Sequence, residues 1–223
     1  MSGKDKLKKF KENETFSCLI QPRFVDVYKK DYVYKGKWNE VFFKNDKPII
    51  LELGCGKGEY TIDLAKRHPE NNYLGVDIKG ARLWRGSKTA TENHMDNVGF
   101  LRTRIDFIDS FFAKSEISEI WITFADPQKN KSKKRLTSIL FLDRYKKFLK
   151  QNAVINLKTD SKLLYDSTLD VIMNNNLELI ENDPDIYHSN RQLDEITEVQ
   201  THYESIFLAQ GIPITYVKFR FKD

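Results

Sequence analysis

From Pro48 onward, short β-branched and aromatic runs alternate with stretches of helical periodicity, and this restricts the fold more than any other feature. Ile49 to Leu53, Asn72 to Val76, Val98 to Leu101, Glu119 to Phe124, Ala153 to Leu157 and Leu177 to Ile180 read as strands. Ile212 to Phe221 closes the chain as a further strand, with Val217, Phe219 and Phe221 alternating. Tyr60 to Lys66, residues 80–94, Leu136 to Lys150 and Lys162 to Asn174 read as helices. In the third of these, Ile139, Leu140, Leu142, Tyr145, Phe148 and Leu149 form the apolar side. Strands that alternate with helices need crossover connections, which gives an α/β fold with a doubly wound, mostly parallel sheet. Such sheets take their ligands beyond the carboxyl ends of the strands.

The domain organisation follows from where this alternation begins. Residues 1–45 mix lysines, aromatics and turn signals and are expected to be a basic N-terminal extension, with residues 46–223 as the α/β domain. With 40% apolar and 13% aromatic residues, the chain has material for a sizeable core. No run approaches the ~18 consecutive apolar residues of a membrane helix, so no membrane partner is expected. Two cysteines, Cys18 and Cys55, give no disulfide framework and suit a reducing cytoplasm. The four histidines have no metal-ligand spacing to one another or to a cysteine, and no metal is expected.

Charge is gathered into patches. Residues 4–11 hold five lysines against Asp5, and residues 129–135 hold Lys129, Lys131, Lys133, Lys134 and Arg135 with no acid. The chain's net charge is only +5, so the remainder is net negative. Clustering of this kind suits a polyanion, with the lysines as point charges and Arg135 able to fork a phosphate. The N-terminal lysines are expected to form a mobile arm that orders on RNA.

The segment "IILELGCGKGEYT" is strand, glycine-rich turn, helix. Gly54, Gly56 and Gly58 follow G-x-G-x-G spacing, whereas a dinucleotide fingerprint wants G-x-G-x-x-G. Glu52 stands two residues before the first glycine, where a carboxylate repels a pyrophosphate but accepts bonds from a cationic amino-acid moiety. Both features favour S-adenosylmethionine over a nicotinamide cofactor. Asp77 ends the next strand, close to the ~20-residue offset of an acid that binds ribose hydroxyls. Asp106 follows the third strand, where it accepts from an adenine amino group or caps a helix. Asp126 ends the fourth strand, held toward extended geometry by Pro127. It is placed to orient a donor or act as a base beside the phosphate-binding strip, so a nucleic acid is the expected methyl acceptor. Thr159 and Asp160 end the fifth strand, with Asp160 also a candidate helix cap. Thr201, His202, Tyr203 and Glu204 stand ahead of the last strand.

The motifs "ELGCGKG", "ADPQ" with "KKRLTS", "LKTD" and "THYE", in that order from about residue 45 to the C-terminus, resemble the bacterial tRNA (guanine-N7-)-methyltransferases. The resemblance implies a class I S-adenosylmethionine-dependent methyltransferase (Rossmann-like) fold whose last strand is antiparallel. It implies a monomer or homodimer that methylates N7 of a guanine in the tRNA variable loop. Glu52, Asp77, Asp106 and Asp126 would contact the cofactor, with Asp126 as the catalytic acid. Asp160 and Thr201, His202, Tyr203 and Glu204 would recognise the guanosine. The chain departs from the family's Asp-Pro-Trp-Pro-Lys tract: it has Asp126-Pro127-Gln128-Lys129-Asn130-Lys131, with Asn130 where the substrate-contacting lysine is expected. Lys129 or Lys131 takes that role, and Lys133, Lys134 and Arg135 the phosphates. Other acceptors, such as another RNA base or a protein side chain, and a nonenzymatic RNA-binding module on the same fold are the competing readings. A dehydrogenase fits worst.

Overall fold

The computed structural model describes residues 3–189, 191–192 and 194–222, with side chains from Asp5 onward, as two compact units that meet at Phe112 and Ala113. The first unit holds α1 (Gly3–Asn13), β1 (Leu19–Ile20), β2 (Ile49–Leu53), α2 (Glu59–Arg67), β3 (Asn72–Asp77), α3 (Gly80–Glu92) and β4 (Val98–Arg102). The second holds β5 (Ile117–Thr123), α4 (Ile139–Tyr145), β6 (Leu149–Thr159), α5 (Lys162–Asn174), β7 (Leu177–Asp183), α6 (Glu195–Glu198), α7 (His202–Ala209) and β8 (Thr215–Phe221).

In the first unit all pairings are parallel, in the order β1-β4-β3-β2. Every residue of β2 and β3 is buried, as strands covered on both faces must be. Phe100, fully buried in the middle of β4, sets the packing beneath the glycine turn. A methyl group built on Gly58 or Gly86 would sit 2.5 Å from its ring, and one on Gly75 would sit 2.9 Å away. These glycines are therefore space for an aromatic ring as well as conformational freedom, which at Gly58 is also used, with φ +72°.

Residues 3–45 belong to this unit. The lysine-rich stretch expected as a mobile arm is the helix α1, docked on α3: the Asn13 amide donates to the Gly80 carbonyl at 2.9 Å, and the Lys9 ammonium lies 4.4 Å from the Trp84 ring centre. A π-helical turn, Trp38–Phe43, follows. The Trp38 indole is fully buried and donates to the Phe111 carbonyl at 2.8 Å.

In the second unit β5 pairs with β6 in parallel, and β8 runs antiparallel to both β6 and β7. The expected antiparallel last strand is present. The helix expected over Leu136–Lys150 is confined to α4. Ser132–Lys134 forms a 3-10 turn before it, and Leu149 already pairs with Ile117 as the start of β6. A bulge follows, with Asn152 at φ +60°, before the register resumes at Glu119 and Val154. Phe148 and Leu149 are buried as the strand's entry rather than as a helix face.

Alanine is a better helix former than glycine by about 1 kcal/mol. Gly86→Ala in α3 should nevertheless destabilise the protein, by about 1–3 kcal/mol of overpacking against Phe100. Chemical denaturation measures this, and a stabilised variant would show that the ring has room to move.

Candidate active site

The glycine turn of the first unit is stitched to the exit of β3. The Gly54 N–H donates to the Val76 carbonyl at 2.8 Å, and the Cys55 N–H to the same oxygen at 3.1 Å. Asp77, nearly buried, accepts from the Gly56 N–H at 3.0 Å through one oxygen and from the Lys79 N–H at 2.7 Å through the other. The strand-end carboxylate thus fixes the turn that approaches a ligand. A carboxylate has about four lone-pair sites, so two N–H bonds leave Asp77 capacity for further donors. A methyl group built on Gly56, at φ +57°, meets nothing within 4 Å, so the turn's crest faces open space.

Glu52 is 5% exposed and turns toward the start of α2. It accepts from the Thr61 N–H at 2.9 Å and from the Thr61 hydroxyl. A buried carboxylate at a helix N-terminus is stabilised by the unpaired N–H groups there. Glu52 thereby braces the helix that follows the glycine turn. Burial, and then the charges of Glu52 and Asp77, push the Cys55 thiol well above its ordinary range, so it stays a neutral packing group. Asp106 lies in a 3-10 turn, Ile105–Ser110, that opens at Arg104. It pairs with the Arg104 guanidinium at 3.0 Å and does not cap the turn.

The second unit gathers most of the remaining candidates at one end of its strands. Thr123 of β5 pairs with Lys158 of β6, and the Phe124 N–H donates to the Lys158 carbonyl at 2.9 Å. Beyond that point β5 leads to Asp126 and β6 to Asp160. Asp126 is exposed and accepts from the Gln128 N–H at 2.9 Å. This closes a local turn with Phe124 and Gln128 both in the left-handed region, at φ 48° and 49°. Arg135 donates from Nε to the Pro127 carbonyl at 3.0 Å, folding the basic loop back on the turn. Lys129, Lys131, Lys133 and Lys134 are exposed along it.

Asp160 is half-buried, and burial raises its carboxyl pKa. It does not cap α5; the Ser161 hydroxyl does, accepting from the Leu164 N–H at 3.3 Å. Thr159 is buried and accepts from the Ser161 N–H at 3.0 Å, which orders the bend carrying Asp160.

The "THYE" segment opens α7, a helix that was not expected. Thr201 is its cap: the hydroxyl accepts from the Glu204 N–H at 3.2 Å, and the Glu204 carboxylate accepts from the Thr201 N–H at 3.2 Å. This capping box was legible as Thr-x-x-Glu. Glu204 itself is fully buried. It accepts from the Lys158 ammonium at 2.6 Å and from the Tyr187 hydroxyl at 2.8 Å. The structure therefore places Glu204 beneath the site as a brace, while His202 and Tyr203 are exposed on the first turn of α7.

Lys158, which sequence reasoning missed, is also fully buried and donates to the Val199 carbonyl at 3.0 Å and to the Ile196 carbonyl. Burial lowers its pKa, against the pull of Glu204 in the other direction. Its sequence signal was its place within "LKTD", between the apolar Leu157 and the strand-end Thr159. Phe124 stacks on Phe207 of α7 at 6.1 Å, so the exit of β5, the exit of β6 and the start of α7 are tied together. Among the described residues no group of His, Cys, Asp and Glu is arranged to hold a metal, and no helix is long and apolar enough to cross a membrane.

The raised pKa of Asp160 has a consequence for stability. A carboxyl whose folded pKa exceeds its unfolded value disfavours folding once ionised, above the folded pKa. Asp160→Asn should therefore raise the melting temperature at pH 7. The gain should vanish as the pH falls below the unfolded value of about 3.9. Thermal melts at the two pH values check this; an equal or lower melting temperature at pH 7 would contradict it.

Three comparisons bear on this arrangement. Residues 46–216 match the model of a family described as "Putative methyltransferase". The tRNA (guanine-N(7)-)-methyltransferase of Christiangramia forsetii is 50% identical over the full length of both chains. That of Bacteroides fragilis is 46% identical, over 97% of this chain and 86% of the relative. Among solved structures, the 16S rRNA methyltransferase KamB superposes with a TM-score of 0.63 at 12% identity, over 84% of this chain and 94% of that one. This last likeness shows the fold, that of the class I methyltransferases, and the first two show the family. The chain belongs to the tRNA (guanine-N(7)-)-methyltransferases.

Proposed function

We propose that the protein methylates N7 of a guanine in the variable loop of tRNA, with S-adenosylmethionine as the donor, in the cytoplasm. One observation carries the assignment of the acceptor. In the second unit, exposed Asp126, half-buried Asp160 and exposed Tyr203 stand on elements tied together by Lys158, Glu204 and the Phe124–Phe207 stack, next to a loop of exposed cations. Acids with an aromatic face suit a base that offers N–H donors, and the cations suit the phosphates that carry it.

The donor fits the first unit. The open crest at Gly56 and the carboxylate of Asp77 suit a nucleoside with vicinal hydroxyls. Asp77, Asp106 and the turn of Gly54, Gly56 and Gly58 would hold it, with Glu52 bracing the turn. When bound, S-adenosylmethionine supplies an electrophilic methyl group on a sulfonium. Guanine N7 carries a lone pair and no proton, so no residue has to act as a base. The chain's own contribution is positioning, which supplies on the order of 7–11 kcal/mol. Methylation leaves a cationic purine, and ionised Asp126 and Asp160 stabilise that developing charge while accepting from the guanine N1–H and amino group. Tyr203 provides the stacking face, and Lys129 or Lys131 reaches the position that Asn130 vacates.

The direct test is incubation with unmodified tRNA and labelled S-adenosylmethionine, followed by nucleoside mass analysis. Label in 7-methylguanosine from the variable loop is expected; label in another nucleoside, or in protein, would overturn the acceptor. Asp126→Asn keeps the shape and removes the charge, and should lower kcat by about tenfold or more, equivalent to about 1.4 kcal/mol. Unchanged turnover would show that this carboxylate does not matter. Replacing Lys133, Lys134 and Arg135 with glutamine should weaken tRNA binding and reduce its salt dependence by about one unit of log–log slope for each phosphate no longer neutralised. Cofactor affinity, titrated in parallel, should stay constant.

A further inference from the structure

We propose that the outward faces of α1 and α3 form a second docking surface for the phosphate backbone of the RNA substrate, in addition to the loop at 129–135. The inference rests on the proposed tRNA substrate.

Docking of α1 is extensive for an 11-residue helix. Trp84 of α3 donates its indole N–H to the Glu12 carboxylate. The Lys9 and Lys88 ammonium groups both lie over its ring, at 4.4 and 5.2 Å from the centre. The Arg102 guanidinium covers the Phe10 ring at 5.0 Å. Gly80 is what admits that ring, since a methyl group there would come within 2.9 Å of it. Phe10 and Asn13 thus face inward, and Lys6, Lys8 and Lys11 remain exposed with Lys79 and Arg85 of the α3 segment. Among the described residues, Lys6, Lys8, Lys11 and Arg85 form no ion pair with an acid.

The contacts that dock α1 leave the exposed charge of Lys6, Lys8, Lys11 and Arg85 without an offset. An 11-residue helix is too short to be stable alone in water. Like charges three or four residues apart weaken a helix by about 0.2–0.5 kcal/mol per pair. Residues 5–12 carry four lysines against Asp5 and Glu12, and residues 79–92 carry Lys79, Arg82, Arg85 and Lys88 against Glu92. These two segments hold +2 and +3, equal to the net charge of the whole chain, +5. Glu12 is engaged by Trp84 and Glu92 by Lys88. The partner that offsets such a surface is a polyanion. A lipid headgroup layer fits less well, because an interfacial helix buries an apolar face, and α1 turns Phe10 inward and exposes Leu7 as its one large apolar side chain.

The test is a Lys8→Gln/Lys11→Gln/Arg85→Gln variant of the full chain, titrated with unmodified tRNA over a range of salt concentrations. Its log–log salt slope should be flatter than wild type by about three, one for each phosphate no longer neutralised. Its tRNA affinity near physiological salt should fall by about tenfold or more. KM for tRNA should rise with kcat, S-adenosylhomocysteine affinity and melting temperature unchanged, and Lys8→Arg/Lys11→Arg should retain the wild-type slope. An unchanged slope in the glutamine variant, with wild type still methylating tRNA, would overturn this inference alone. Wild-type protein that binds S-adenosylhomocysteine but not tRNA would overturn the tRNA reading with it. Loss of binding to anionic phospholipid vesicles with the tRNA slope intact would assign the surface to a membrane and likewise overturn it.

Discussion

A buried carboxylate must find donors, and in each unit that requirement shapes the backbone of the candidate site. Asp77 meets it with the Gly56 and Lys79 N–H groups, Glu52 with Thr61 and the start of α2, and Glu204 with Lys158, Tyr187 and the Thr201 N–H. An unpaired charge at any of these depths costs several kcal/mol. The turns and helix starts that supply the donors are therefore held in one geometry before any ligand arrives. This is the preorganisation that a reaction catalysed by positioning needs.

The acids divide accordingly. Glu52 and Glu204 are the most buried, at 5% and 0% exposure, and their bonds run to the protein's own helix starts. Asp126 and Asp160 retain solvent, and burial raises the pKa of Asp160. The buried acids brace the scaffold, and the accessible carboxylates are those that the proposed reaction uses. The turn before Gln128-Lys129-Asn130 is held by Asp126, which accepts from the Gln128 N–H, and by Arg135, which donates to the Pro127 carbonyl.

Much of this was legible in the sequence, because strand ends are marked by chemistry. Glu52 interrupts an apolar run just before the glycine turn, Asp77 and Asp126 each follow one, and periodicity placed α5 from Lys162 to Asn174 as observed. The misreadings have physical causes. Phe148 and Leu149 match a helical stripe as well as a strand entry, and only the pairing of Leu149 with Ile117 decides between them. The lysines of residues 4–11 look like a mobile arm until Trp84, Gly80 and Arg102 supply a dock far away in sequence. Glu204 reads as a substrate ligand because a capping box and a binding motif share the same letters. Lys158 sat inside "LKTD" without a role of its own, since a buried lysine gains meaning only from a partner 46 residues away.

The central claim is that cofactor binding and guanine recognition rest on different carboxylates. Calorimetric titration of S-adenosylhomocysteine into Asp77→Ala and Asp160→Ala variants tests it most directly. Asp77→Ala should lose affinity by about tenfold or more, a difference of about 1.4 kcal/mol, while Asp160→Ala should bind as wild type does and fail only with tRNA. Equal losses in both variants, or none in the first, would contradict the account.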